Sequence, residues 1–234
     1  MNTNKKTARK AGFLYLGYII FTAIALVVGR KGIIVDGDAA TTAANIIAKG
    51  MRFRVGFVSD AVAGVLFLLA AWYLYVLLKP VNKNIALLFL LLNLGGFTIW
   101  CFSALNLFAG QLLLSGADYL KVFQPGQLQA QAMLFINLYK NGSTIAQIPY
   151  GIWLFPLGYL VFKSGFLPKM LGILLIVDCF GLLIYVFQRF LLPGYEVISY
   201  PCMVVSFIAE LSLTLWLLIK GVKDQEPALA DGQN

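Results

Sequence analysis

The sequence predicts an all-α fold: a polytopic transmembrane helical bundle of about six spans, with additional short helices on the outer side. Composition is the first ground, since 60% of the 234 residues are hydrophobic and 12% are charged, against about 25% charged in a soluble domain. The apolar runs are the second, because they lack a polar face and could not stay dissolved as helices. About twenty such residues at about 1.5 Å rise cover the ~30 Å core of a bilayer. The third is the placement of charge, with Lys and Arg gathered at the ends of the runs.

Taken in order, residues 1–10 form a basic tail (Lys5, Lys6, Arg9, Lys10) and residues 11–28 the first span. Ala23-Ile24-Ala25 resembles a signal-peptide cleavage site, but the run is long for a signal core and Gly29-Arg30-Lys31 closes it as an interface, so it reads as a retained span. Residues 32–54 are the longest polar connection. Within them Asp38 is placed to cap a short helix over 39–49, which lies on the membrane surface through Ala44, Ile46 and Ile47. The second span covers 57–78, with an outward extension from Met51, and ends at the tight basic turn Lys79-Pro-Val-Asn-Lys83. The third covers 84–110 and is longer than a bilayer needs, with Gly95-Gly96 as a candidate bend. Pro125 suits the first turn of a helix, and residues 126–140 read as an apolar segment along the outer leaflet. Asn141-Gly142 separates that segment from a fourth span over 144–162. Spans over 168–188 and 198–219 follow, and residues 224–234 make a polar tail expected to be disordered. Residues 1–223 thus form a single transmembrane domain.

Short loops with Lys and Arg stay on the cytoplasmic side. Lys79, Lys83, Lys163 and Lys169 therefore place two turns inside, together with both termini. The expected location is a bacterial cytoplasmic (inner) membrane. The formal net charge of +8 follows from this topology and from anionic headgroups, since no basic stripe or nucleic-acid motif accompanies it. Membrane lipids are the expected partners, and no nucleic acid is expected.

The stretch Gly158-Tyr-Leu-Val-Phe-Lys-Ser-Gly-Phe-Leu-Pro-Lys-Met-Leu-Gly-Ile-Leu174 resembles a bacterial membrane-protein family catalogued as domain of unknown function 4386. Arg9-Lys-Ala-Gly, Leu74-Tyr-Val-Leu-Leu-Lys-Pro-Val-Asn and Leu114-Ser-Gly-Ala-Asp-Tyr-Leu resemble it too, so the likeness covers about residues 6–223. It implies an inner-membrane protein of about six helices and supplies no activity, cofactor or catalytic residue. The family pattern often carries a histidine in the fourth span, where this chain reads Gly151-Ile-Trp-Leu-Phe-Pro.

There is no histidine at all. That removes Ser-His-Asp and Cys-His catalysis, histidine-ligated haem and histidine-based zinc sites. Cys101, Cys179 and Cys202 lie within apolar runs and read as small buried hydrophobes. No catalytic motif, metal site or cofactor is expected, and the reading leans away from an enzyme.

Two sets of polar residues remain to be explained. Asp178 counted from Lys169, and Glu210 counted from Lys220, both fall near mid-membrane at about 1.5 Å per residue. Charged groups there are costly, so the pair is either an ion-coupling site or two acids bonding across helices as structural glue. The second set lies in the outer half: Arg52, Arg54, Asp60, Asn106, Gln111, Asn137, Tyr139, Lys140, Gln147 and Arg189. It reads as an outward-opening polar pocket, with Arg54 and Arg189 suited to a carboxylate or phosphate, or as an ordinary headgroup-level belt. The pocket predicts a non-enzymatic protein that binds an amphiphile or small anion, of accessory or sensor type. The alternative is a small secondary transporter coupled through Asp178 and Glu210.

Overall fold

The apolar runs become six helices long enough to cross a membrane in the computed structural model, which describes residues 3–223. The tail over 224–234 lies outside the described residues. Helix α1 (Thr3–Ile24) takes in most of the basic tail and ends in a π-helical turn, Ala25–Arg30. α2 (Ala39–Ala48) is short, and Asp38 caps it by accepting from the Thr41 N–H at 2.9 Å. That hydrogen-bonded pairing with Thr41 holds the Asp38 carboxyl below its usual range.

α3 (Gly50–Leu78) and α4 (Lys83–Leu113) are long, and α4 passes Gly95-Gly96 without a break. α5 (Pro125–Ile152) starts as expected, with Pro125 in the first turn and Gln124 and Gln127 forming a reciprocal cap. α6 (Leu154–Lys163), α7 (Lys169–Leu191) and α8 (Ser199–Ile219) complete the bundle.

The fourth crossing departs from the sequence reading. Residues 126–140 are not a separate surface segment, and no turn occurs at Asn141-Gly142. Pro125–Lys163 is one crossing of 39 residues. Gly142 faces Ser103 so closely that a Cβ there would stand 2.2 Å from the Ser103 Oγ, so the glycine serves a helix–helix contact rather than a turn. The discontinuity falls at Trp153 instead. Pro156 offers no N–H to the Ile152 carbonyl, and the ladder resumes with the Leu157 N–H donating to Trp153 at 3.2 Å.

Two ends can be distinguished: a basic end, with the Lys79–Lys83 and Lys163–Lys169 turns, and a cap end, where α2 lies. At the basic end Ala8, Ala11, Leu74, Leu78, Leu154, Leu157, Leu213 and Leu217 are buried in one apolar core. α1 meets α8 there: a Cβ on Gly12 would be 2.9 Å from the Leu218 backbone nitrogen. At the cap end α1 leans on α3, where a Cβ on Gly29 would be 2.3 Å from the Gly56 Cα. α1 packs on α3 along its length, with Lys10 over Tyr73 and both Tyr15 and Tyr18 against Phe67, and parts from α8 towards the cap end, where the cleft between them opens.

The cap end has its own smaller core: Ile33, Ile46, Phe53, Leu107, Met133, Ile136 and Tyr139. The extensions of α3, α4 and α5 therefore pack together with α2 as a helical layer, as their apolar composition requires.

Candidate functional site

Where α1 parts from α8, a cavity of about 430 Å³ descends from the cap end into the bundle. Its mouth holds Asp36, Lys140 and Arg189, and its depth holds Phe67, Trp153 and Glu210. A second cavity of about 460 Å³ opens sideways between α1 and α8. Ile19, Ala23, Met203, Phe207 and Leu211 make this cleft mainly apolar. Both spaces are lined by Tyr18, Thr22, Leu26, Gln147, Tyr185 and Glu210, so they are two limbs of one site. Phe207 is 62% exposed on the flank of the cleft, which the site therefore presents to lipid.

The charges of the mouth and upper wall come in pairs. Arg30, the last residue of the π turn, pairs with Asp60 of α3. Its guanidinium also lies over the Tyr139 ring at 5.1 Å, and the Tyr139 hydroxyl donates to Asp60 Oδ2 at 3.3 Å. Lys140 pairs with Asp36. Arg189 reaches Glu196 at 3.5 Å, near the surface. Two polar atoms in the wall, Arg30 Nε and Ser143 Oγ, are buried with no hydrogen-bond partner among the described residues. Such groups ask for a partner from a bound molecule or water.

Glu210 stands at the floor, where Tyr15 donates a hydrogen bond to its Oε2 at 3.0 Å. At about 1.5 Å per residue it lies about 16 Å below the start of α8. Asp178 is fully buried behind it. Neither Asp178 oxygen makes a hydrogen bond of normal geometry, but Ser206 is a polar neighbour the two acids share. Asp178 thus faces the bundle interior, and Glu210 faces the chamber and the cleft beside it.

Of the outer residues singled out in the sequence, the chamber gathers Asp60, Tyr139, Lys140, Gln147 and Arg189. Arg54 and Gln111 lie elsewhere, in a groove between α2, α3 and α4, so the expected common space for Arg54 and Arg189 does not form. Arg54 and Asp60 leave α3 on different sides, Arg54 into that groove and Asp60 into the chamber. Arg52 donates to the Val28 carbonyl at 3.3 Å. Asn106 donates to Phe102 on its own helix at 3.2 Å, and Asn137 is exposed.

Arg30, which the sequence places at the membrane interface, is a further residue of the chamber. The available signal was an arginine directly after Gly29, a position that allows close approach to α3, at the depth of Asp60.

Comparison with known proteins agrees with the fold and adds no activity. Residues 10–221 match a family described as "Domain of unknown function (DUF4386)". An uncharacterized protein of Archaeoglobus fulgidus is 30% identical over 153 residues, covering 65% of this chain and 75% of its own length. No solved structure matches. The family match runs from the first membrane helix to the end of the last, and this chain is a multi-pass membrane protein belonging to the DUF4386 family.

Proposed function

We propose that this protein binds an amphiphile in the chamber, its head among the polar groups and its chain in the cleft between α1 and α8. The observation that carries the reading is the continuity of a polar cavity with an apolar side opening at the level of lipid tails. A small anion fits less well, because Arg30, Lys140 and Arg189 each already have an acidic partner. The cap end faces outward and the two basic turns and both termini lie in the cytoplasm of a bacterial cell, an orientation supported by the lysines of those turns. In this setting the protein is an accessory or sensor rather than an enzyme.

Native mass spectrometry of the full chain, released from its own membranes in a mild non-ionic detergent, tests the reading. The expected result is a discrete added mass of lipid size, reduced several-fold in Ser143→Phe, which fills the chamber. A bare mass, or equal occupancy in the variant, would contradict it. Reaction of Ser164→Cys with an impermeant thiol reagent in intact cells would contradict the orientation.

A second reading is favoured by one-sided access. The chamber reaches Glu210 from the cap end, while Tyr15, Leu154, Leu157, Leu213 and Leu217 fill the basic end. A secondary transporter coupled through Asp178 and Glu210 would rest in such a state. It requires the lumen of proteoliposomes to change pH when a transported amphiphile is added, and Glu210→Gln to abolish the change. A wild type without any response excludes it.

A further inference from the structure

The floor of the chamber has a chemistry of its own. Tyr18, Phe67, Tyr150 and Trp153 line the cavity together with Glu210. Phe67 is the centre of this group. Tyr18 stacks on it at 4.3 Å, Tyr150 tilts against it at 5.3 Å, and Trp153 meets it edge-on at 5.1 Å. The cations of the wall, Arg30, Lys140 and Arg189, each have an acidic partner, and Arg30 and Arg189 stand at the cap ends of their helices. An acid therefore sits deep in the membrane among aromatic rings, with a second acid, Asp178, buried behind it and, among the described residues, no cation paired with it.

An uncompensated carboxylate in this position is costly. The negative faces of aromatic rings attract a cation, most strongly where water is excluded. Both features favour the same ligand group.

We propose that the floor of the chamber is a subsite for an organic ammonium group, with Glu210 as its counter-ion and the rings of Tyr18, Phe67, Tyr150 and Trp153 as its walls. The proposal rests on the reading of the chamber as an amphiphile site and names the head it selects. Glu210 borders both limbs, so an ammonium held there directs its alkyl chain into the apolar cleft. Substituents on the head rise towards Ser143 and Arg30, whose buried polar atoms lack partners.

The test uses the full chain in nanodiscs of neutral lipid and three probes with one chain and different heads: decyltrimethylammonium, decyl maltoside and decyl sulfate. Binding is read as quenching of chamber tryptophan fluorescence by brominated versions of the three. The expected preference for the ammonium over the neutral head is about tenfold, in line with a desolvated cation–π site. Glu210→Gln should bring the ammonium and maltoside probes to similar affinity, removing that preference. Phe67→Leu, which keeps the carboxyl, should lower it several-fold and provides the test if Glu210→Gln does not fold. Equal binding of all three heads, or tightest binding of the sulfate, overturns the ammonium subsite and leaves the amphiphile reading standing. Failure of all three to quench removes the amphiphile reading itself.

Discussion

The two ends of the bundle use the same helices in opposite ways. At the basic end α1 and α8 touch at Gly12, and the space between helices is filled by leucine, alanine and aromatic side chains. At the cap end α1 keeps to α3, at Gly29 and Gly56, and the gap it leaves beside α8 is lined by charges, hydroxyls and an amide. One end is filled by apolar packing, while the other keeps an open chamber whose rim is stabilised by ion pairs. A membrane bundle gains little from the hydrophobic effect between helices, so close packing and paired polar groups must hold it together. Here close packing runs the length of α1 and the paired charges are confined to the cap end, where the site opens.

The contrast breaks most completely at the pivots. Gly29→Val puts side-chain atoms onto the Gly56 backbone, and Gly12→Leu does the same to α8. Both are expected to abolish a monodisperse folded peak in size-exclusion chromatography after detergent extraction, because backbone atoms cannot step aside as a side-chain tip can. A folded Gly29→Val protein with an intact chamber would show that α1 is not pinned as described.

Arg30→Ala is the next largest. Both partners of the Arg30–Asp60 pair are mostly buried, and removing one leaves the other uncompensated, at a cost of about 3 kcal/mol. Thermal unfolding should fall accordingly, and Arg30→Ala combined with Asp60→Ala should recover much of the loss. A double variant no better than the single would mean that the pair does not hold the chamber open.

Smaller still is Arg189→Ala. Its pair with Glu196 is half-exposed and long, so stability should change by less than about 1 kcal/mol, while amphiphile binding weakens because Arg189 lines the mouth. Arg54→Ala sharpens the comparison from the other side. Arg54 lies in a different groove, so its replacement should leave chamber binding unchanged in the same quenching assay, and a loss equal to that of Arg189→Ala would join the two sites.

The six crossings were legible because length and an all-round apolar surface are sufficient to identify a span. The Asp38 cap and the Pro125 start were legible for a local reason, since each depends on atoms within one turn. Asn141-Gly142 misled because that pair marks a turn in water. In a membrane crossing the glycine of such a pair serves a contact with a neighbouring helix, here Gly142 against Ser103. The chamber was half legible. Asp60, Lys140, Gln147 and Arg189 stood out as polar groups in apolar surroundings, and Asp178 and Glu210 as acids at matched depth. What decided between Arg30 and Arg54 was the rotation of α3 and the crossing point of α1, which depend on packing between helices distant in sequence.

The central claim, that a lipid-like molecule enters between α1 and α8 and lies in the chamber, can be tested through Trp153. This residue lines the chamber and is 1% exposed, so bromine on an acyl chain in the bilayer outside should not reach it. With Trp72, Trp100 and Trp216 replaced by Phe, Trp153 is the sole tryptophan. Its fluorescence should be quenched saturably by a decyl amphiphile brominated along the chain. Ala23→Phe, which narrows the side opening, should slow or abolish the effect. Fluorescence that is unquenched, or quenched to the same extent and at the same rate with the cleft narrowed, would contradict the claim.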